Sequence, residues 1–170
     1  MISSIRTWMF NKSLREHQNF KRSVDHSGVN MCKSICILAD GRDEGRRSAT
    51  ENYKSKLESL SKTVDILYFL DDKSEAEMSY SRQDIRWNGV PQHENIDSIL
   101  NKKYDLLISL NPIMKDHHRY LVILCNAKLK IGPVFQELSH IFDLMVEIQD
   151  YSNTQSLIQN IDNQLRQLST

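Results

Sequence analysis

The chain has 170 residues, with 22 basic and 22 acidic side chains and a formal net charge of zero. That is one domain's worth of polypeptide, long enough to bury a core without a metal or disulfide staple. Five glycines and three prolines fall well below the average usage of about 12%, which disfavours turn-rich all-β folds and glycine-rich phosphate cradles.

Charge is uneven along the chain. Residues 1–24 carry Arg6, Lys12, Arg15, Lys21 and Arg22 against Glu16 alone, leaving the remainder net acidic. Within this head Ile2, Ile5 and Met9, continued by Trp8, Leu14 and Phe20, recur at three- and four-residue spacing, which predicts a basic amphipathic helix. No continuous apolar region or small-residue cleavage site marks a secretory signal. Such a helix either packs on its own domain or serves as an arm for a protein partner, an anionic membrane surface or RNA. In the second case Ile2, Ile5, Arg6, Met9, Lys12 and Arg15 are the candidate partner-binding residues. Residues 25–33 lack periodicity, contain Ser27 and Gly28, and read as a linker.

A single α/β domain is expected over 34–170. Ile35 to Ala39 form a short continuous apolar run ending at Asp40 and Gly41, the pattern of a strand buried on both faces of a parallel sheet. A polar loop, Gly41 to Arg47, leads into a helix with Ala49, Tyr53, Leu57 and Leu60 as its buried stripe. Val64 to Leu70 predict a second strand. Asp71 to Gln92 read as irregular, with a short helix opened by Ser81 and capped by Asp84 three residues on, stopping at Gly89 and Pro91. A helix carrying Ile96, Ile99 and Leu100 precedes a strand from Tyr104 to Leu110. A helix from near Asp116, strands at Leu129–Gly132 and Leu144–Ile148, and a last helix using Leu157, Ile158, Ile161, Leu165 and Leu168 complete the chain. This alternation implies right-handed βαβ crossovers and a mainly parallel sheet, giving a Rossmann-like or flavodoxin-like three-layer sandwich preceded by the N-terminal helix.

Two resemblances follow. Trp87, Gly89 and Pro91, then Tyr104-Asp105-Leu106-Leu107-Ile108, then Ala127 to Gly132, then Phe142-Asp143-Leu144-Met145-Val146 resemble an uncharacterised domain-of-unknown-function family of short Bacteroidetes proteins. That resemblance covers nearly the whole chain and implies a fold without a chemistry. Separately, Lys103 to Pro133 is similar to one stretch of the heptosyltransferase-type glycosyltransferases, in their N-terminal domain, with Ser109 standing where that family often has aspartate.

The candidate sites are few. Asp40-Gly41-Arg42-Asp43-Glu44-Gly45-Arg46-Arg47 matches neither the Rossmann fingerprint nor a Walker loop. Asp43 and Glu44 would repel phosphate, while Arg42, Arg46 and Arg47 offset them, so a solvated, self-paired loop competes with an anion clamp. His117 and His118 are adjacent and point about 100° apart on a helix, so with Asp116 and His140 they lack zinc-site spacing; no metal is expected. The three cysteines Cys32, Cys36 and Cys125 form no C-x-x-C motif and read as core residues in a reducing, cytoplasmic setting. Trp87 reads as an aromatic lid over the sheet edge. Fold geometry alone places a ligand crevice beyond the carboxyl ends of the strands, lined by Asp40, Gly41, Arg42, Asp71, Asp72, Asn111, Pro112, Gly132 and Pro133. Asp40, Gly41, Arg42, Arg46, Asn111 and Gly132 are its ligand-binding candidates. No catalytic residue and no cofactor is implied. No apolar run approaches the roughly 20 residues that span a bilayer, so integral membrane association is not expected.

Three functions fit this reading. A noncatalytic interaction or scaffold module, engaging a protein partner through its basic helix, accounts for the charge asymmetry and for the absence of motifs. A nucleotide- or sugar-phosphate-binding domain or enzyme would use the crevice. An RNA- or ribosome-associated factor would read phosphates with the head, though a net charge of zero gives it little electrostatic footprint.

Overall fold

The structure is a computed structural model that describes residues 2–17, 24, 31–72, 78–135, 140–148, 150 and 153–168. Most of the expected 25–33 linker, together with Phe20 and the side chain of Ile2, lies outside the described residues.

Helix α1 (Ile2–His17) precedes strand β1 (Ser34–Asp40), helix α2 (Glu44–Ser59) and strand β2 (Thr63–Leu70). Strand β3 (Ser79–Ser81), a 3-10 turn (Arg82–Asp84) and helix α3 (Glu94–Leu100) follow. Strand β4 (Lys103–Ser109), helix α4 (Asp116–Leu124), strands β5 (Asn126–Pro133) and β6 (Leu144–Val146), and helix α5 (Thr154–Gln167) complete the described fold. The six strands pair only in parallel, in the order β3-β2-β1-β4-β5-β6. This is the Rossmann order rather than the flavodoxin one, and the chain reverses direction across the sheet between β1 and β4.

Alternation along the strands divides the core into two layers. On one face Ile35, Ile37, Ile66, Leu106, Ile108 and Ile131 meet Tyr53 and Leu57 of α2 and Leu157, Ile161 and Leu165 of α5. On the other, Cys36, Leu38, Leu67, Phe69 and Leu107 meet Ile96 and Ile99 of α3 and Leu121 and Val122 of α4. Ile37 and Leu107, on adjacent or central strands, are completely buried, and truncating either to Ala is worth roughly 2–5 kcal/mol. Cys36 and Cys125 face each other inside this second layer. The hydrogen bond from Cys125 and full burial push the Cys36 thiol well up, which makes it an inert core group.

Several local expectations are corrected. Leu60 is the C-cap of α2 and is exposed, and Thr50 takes the buried place in that helix. The helix ends in a Schellman arrangement, with Lys62 N–H donating to Leu57 O, Ser61 N–H donating to Glu58 O, and Ser61 left-handed at φ 59°. The stretch from Asp71 to Gln92 is less irregular than its composition suggests, because it contains β3. The Ser81–Asp84 cap is present, the Asp84 carboxylate accepting from both Ser81 N–H and Ser81 Oγ. Trp87 sits at the tip of a tight hairpin and is 61% exposed, so it covers no sheet edge. Lys130, on β5, is buried and donates to the Val122 and Ile123 carbonyls at the end of α4, satisfying carbonyls that the helix itself leaves open.

Helix α1 lies on the outside of α4. Phe10 and Leu14 are its buried residues and pack with Val90, Tyr120 and Leu124. The apolar face therefore falls on Phe10 and Leu14, while Ile5 and Trp8 point away from the body, 51% and 62% exposed.

Candidate functional site

Register brings one set of side chains to the carboxyl edge. Tyr80 pairs with Phe69 and Phe69 with Asp40 across β3, β2 and β1, so the three stand in a row on the α4 face. Ser109 of β4 pairs with Leu38, two residues before Asp40 on the same face. The first turn of α4 closes over this row with His117 and His118. The end of this row at Asp40 and Ser109 lies at the switch point between β1 and β4, where open parallel sheets bind ligands.

The loop after β1 does not behave as an open anion cradle. Asp40 is 3% exposed and accepts from Arg42 Nε at 2.9 Å, Arg42 Nη2 at 2.8 Å and Arg46 Nη1 at 3.0 Å. Burial alone would raise its pKa, but the Arg42 hydrogen bonds and both guanidinium charges outweigh that and hold the carboxyl below its ordinary range. The N-terminus of α2 is likewise occupied, because Asp43 accepts from Arg46 N–H. Gly41 is a packing position: a Cβ there would come within 2.9 Å of Leu70 and Tyr68. The sequence candidates Asp40, Arg42 and Arg46 are thus brought together, and their charges are directed at one another.

Behind this knot lies a polar and aromatic cluster. The Phe69 ring is 4.5 Å from His117, 5.3 Å from Tyr80 and 5.4 Å from His118, centroid to centroid, with the Arg42 guanidinium 5.3 Å away on the ring face. The two histidine rings are 4.0 Å apart; the divergence expected of adjacent helical residues does not hold, since both lean onto Phe69. Burial, then the charges of His118, Lys115 and Arg42, push His117 down to about 3. Burial pushes His118 down to about 4 against the pull of the Ile113 carbonyl. Both rings are neutral at pH 7. His118 Nδ1 lies 3.1 Å from Ile113 O, and a carbonyl only accepts, so Nδ1 carries the proton and Nε2 is the acceptor. Among the described residues that Nε2 is buried without a partner, as are Ser109 Oγ and Asn111 Oδ1.

In front of the cluster the edge opens. A cleft of about 480 Å³ is lined by Phe69, Arg82, Ile85, Gly89, Met114, Lys115, Asp116, His117 and, from α1, Arg6. Its cations come from three separate elements. Arg6 pairs with Asp116 at 2.9 Å and Arg82 with Asp71 at 3.1 Å, all four side chains between 46% and 65% exposed. Gly89 forms one wall. It closes a three-residue hairpin loop, with Gly89 N–H donating to Arg86 O and Arg86 N–H to Val90 O, and its φ of +87° is the left-handed conformation that such a loop requires. A Cβ at this position would come within 2.9 Å of Asp116 Cβ.

The other candidates lie elsewhere. Asn111 is buried and donates through Nδ2 to Leu38 O at 3.4 Å. Gly132 is covered by Phe142, whose ring would be 2.5 Å from a Cβ there, so it serves packing. Asp71 and Asp72 are exposed and Pro112 and Pro133 buried. Of the α1 residues, Arg6 reaches the cleft, Met9 is half-buried, and Ile5, Lys12 and Arg15 face solvent. A second groove, about 510 Å³, lies between α2 and α5, away from the carboxyl edge, and its Asp162 is engaged by Tyr53 at 2.6 Å and by Lys56. Sequence reasoning missed Phe69, Arg82, Lys115 and His117 as cleft residues. Period-two alternation would have placed Phe69 on the face of Leu67; Arg82 belongs to the expected turn opened by Ser81, but only the pairing of β3 with β2 brings that turn to the cleft.

Comparison with known proteins agrees with the fold. No curated protein matches the chain. Among solved structures it is similar to E. coli heptosyltransferase WaaC with ADP-2-deoxy-2-fluoro heptose, at 10% identity and a TM-score of 0.52, over 78% of this chain and 48% of that one. The same enzyme with ADP matches at 12% identity and a TM-score of 0.46, over 75% and 46%. A probable 2-hydroxyacid dehydrogenase from Rhizobium etli CFN 42, in complex with NADP, HEPES and L(+)-tartaric acid, matches at 10% identity and a TM-score of 0.37, over 97% and 62%. The chain spans about half the length of the heptosyltransferase. Residues 4–168 match a family of unknown function, DUF6913, and the chain belongs to that family.

Proposed function

We propose that this member of the DUF6913 family binds a small anionic metabolite of the nucleotide or sugar-phosphate class in the carboxyl-edge cleft. The observation that carries the reading is the convergence of Arg6, Arg82 and Lys115, from three elements distant in sequence, on one cleft floored by Phe69. Its volume of about 480 Å³ falls in the range of small-molecule sites, and its place is the edge at which the fold presents ligands. Phosphate is the group that three cations recognise; the half-buried side chains of Ile85 and Met114 offer an apolar surface to the remainder of the molecule.

A thermal-shift series on the full chain tests this. Nucleotides and sugar phosphates should raise the melting temperature, and the matching nucleosides and free sugars should not. A ligand at 100 times its Kd stabilises by about 2.7 kcal/mol. Absence of a shift with every phosphorylated compound overturns the proposal.

A second reading has its own support. Ile5 and Trp8 are exposed on the outer face of α1, and Lys12 lies over the Trp8 ring at 5.5 Å. A protein partner seated on that face, with Arg15 beside it, is the scaffold alternative. Replacing Trp8 with Ala should then release the partner without changing the melt, and retention of every partner by that variant overturns it.

A further inference from the structure

We infer that α1 is a working wall of the cleft, and that a bound phosphoryl group takes Arg6 from Asp116 to form a three-cation seat with Arg82 and Lys115. The inference rests on the reading of the cleft as a binding site and assigns the part of the ligand that the cleft holds.

Arg6 is the contribution of α1 to the cleft, and among the described residues its ion-pair partner there is Asp116. Its Nη2 meets Asp116 Oδ2 at 2.9 Å, beside the Gly89 backbone, where a Cβ would lie 3.4 Å from the same nitrogen. Both partners are about half exposed, and exposed pairs of this kind contribute roughly 0–1 kcal/mol. A dianionic phosphoryl group offers Arg6 a stronger, bidentate, charge-assisted contact, so exchange of Asp116 for phosphate is downhill at small cost. Asp116 tolerates the exchange. It occupies the first turn of α4, where unpaired backbone N–H groups and the helix dipole favour a carboxylate. Lys115, immediately before that turn, has no carboxylate partner among the described residues, and Arg82 pairs with the exposed Asp71.

The exchange also ties α1 to the body. Without ligand, α1 is fastened by Phe10 and Leu14 near its middle and end and by the Arg6 pair toward its start. A phosphoryl group bridging Arg6 to Arg82 and Lys115 adds contacts at that start, so amide protons of the first turns of α1 should exchange more slowly when the cleft is filled.

Two substitutions that break the same ion pair separate this role from a structural one. Titration calorimetry of the full chain with ADP, pyrophosphate and inorganic phosphate should show about tenfold weaker binding in Arg6→Gln, the loss of one charge-assisted contact. Asp116→Asn should bind as tightly as wild type or more tightly, because it removes the competing anion. A purely structural pair predicts that both variants weaken binding alike, and that result overturns the inference while leaving the cleft a binding site. Wild-type binding undiminished by Arg6→Gln does the same. Failure of all three probes to bind the wild type overturns the cleft reading with it. Should Arg6→Gln fold poorly, Arg82→Gln, at a more exposed position, gives the same weakening under the inference, and its absence counts against it.

Discussion

Two parts of the carboxyl edge hold arginines and acids at similar density, and they behave differently. In the loop after β1, Arg42 and Arg46 close on Asp40, which is 3% exposed. Around the α4 cleft, Arg6 and Arg82 pair with carboxylates that are about half exposed. The loop is the place where a Rossmann fold ordinarily presents phosphate-binding backbone, and here a buried carboxylate has become the internal counter-ion of that place. The cleft keeps its cations in reach of solvent, where weak pairs exchange partners readily. Residue type therefore does not identify an anion site; the burial of the competing carboxylate does.

The largest test of this contrast is Asp40→Asn. Removing Asp40 strips Arg42 and Arg46 of their buried counter-ion, leaving Arg42 the more distant Asp71, and should lower stability by about 3–5 kcal/mol, read in a urea melt. Added phosphate should recover more of this loss in Asp40→Asn than it adds to the wild type. If the variant melts like the wild type, the knot is not the buried pair described here.

Acidification probes the cluster between the two regions. His117 and His118 sit at about 3 and about 4 in the fold against about 6.5 in an unfolded chain, so the unfolded state takes up protons first as pH falls. Their stabilisation is complete above pH 6.5 and is lost downward through the folded values, on the order of 3 kcal/mol for each ring by pH 4. Asp40, held low, adds a loss in the same direction below the ordinary carboxylate range. Melts between pH 7 and pH 4.5 should show the fall, and His118→Asn should flatten its own share. A melt independent of pH across that window contradicts the burial of the pair.

Gly89→Ala bears on the cleft wall alone. A left-handed backbone at φ +87° disfavours a Cβ by about 1–2 kcal/mol, and contact with Asp116 adds to that. The melting temperature should drop modestly while phosphate affinity falls with it. The smallest expected effect is that of Trp8→Ala: no more than about 0.5 kcal/mol on stability, since the ring is mostly in solvent.

Much of the fold is legible in the sequence. Continuous apolar runs such as Ile35–Ala39 and Leu106–Ile108 mark strands covered on both faces, and the spacing of Leu157, Ile158, Ile161 and Leu165 marks the inner side of α5. Both signals are local, which is why they survive without knowledge of neighbours. The N-terminal helix was legible for the same reason, but its inward face was not. Ile5, Met9 and Phe10 are all apolar, and only the position of Tyr120, Leu124 and Val90 selects Phe10 and Leu14. The three residues of β3 carry too short a pattern to register, so Tyr80 is not legible as a strand residue, and the turn that carries Arg82, though legible from Ser81 and Asp84, has no position relative to the sheet.

The sequence by itself determined the class of this protein: alternating strands and helices, a parallel sheet, and a basic helix ahead of them. Those features follow from the period of apolar residues along a few turns or one strand. Strand order, the closing of Arg42 and Arg46 onto Asp40, and the delivery of Arg6 to a cleft 110 residues away along the chain were decided only by tertiary structure. A charged side chain carries no record of its partner in its own neighbourhood. Whether it is consumed or left in reach of a ligand depends on which distant carboxylate the fold brings to it and how deeply that carboxylate is buried.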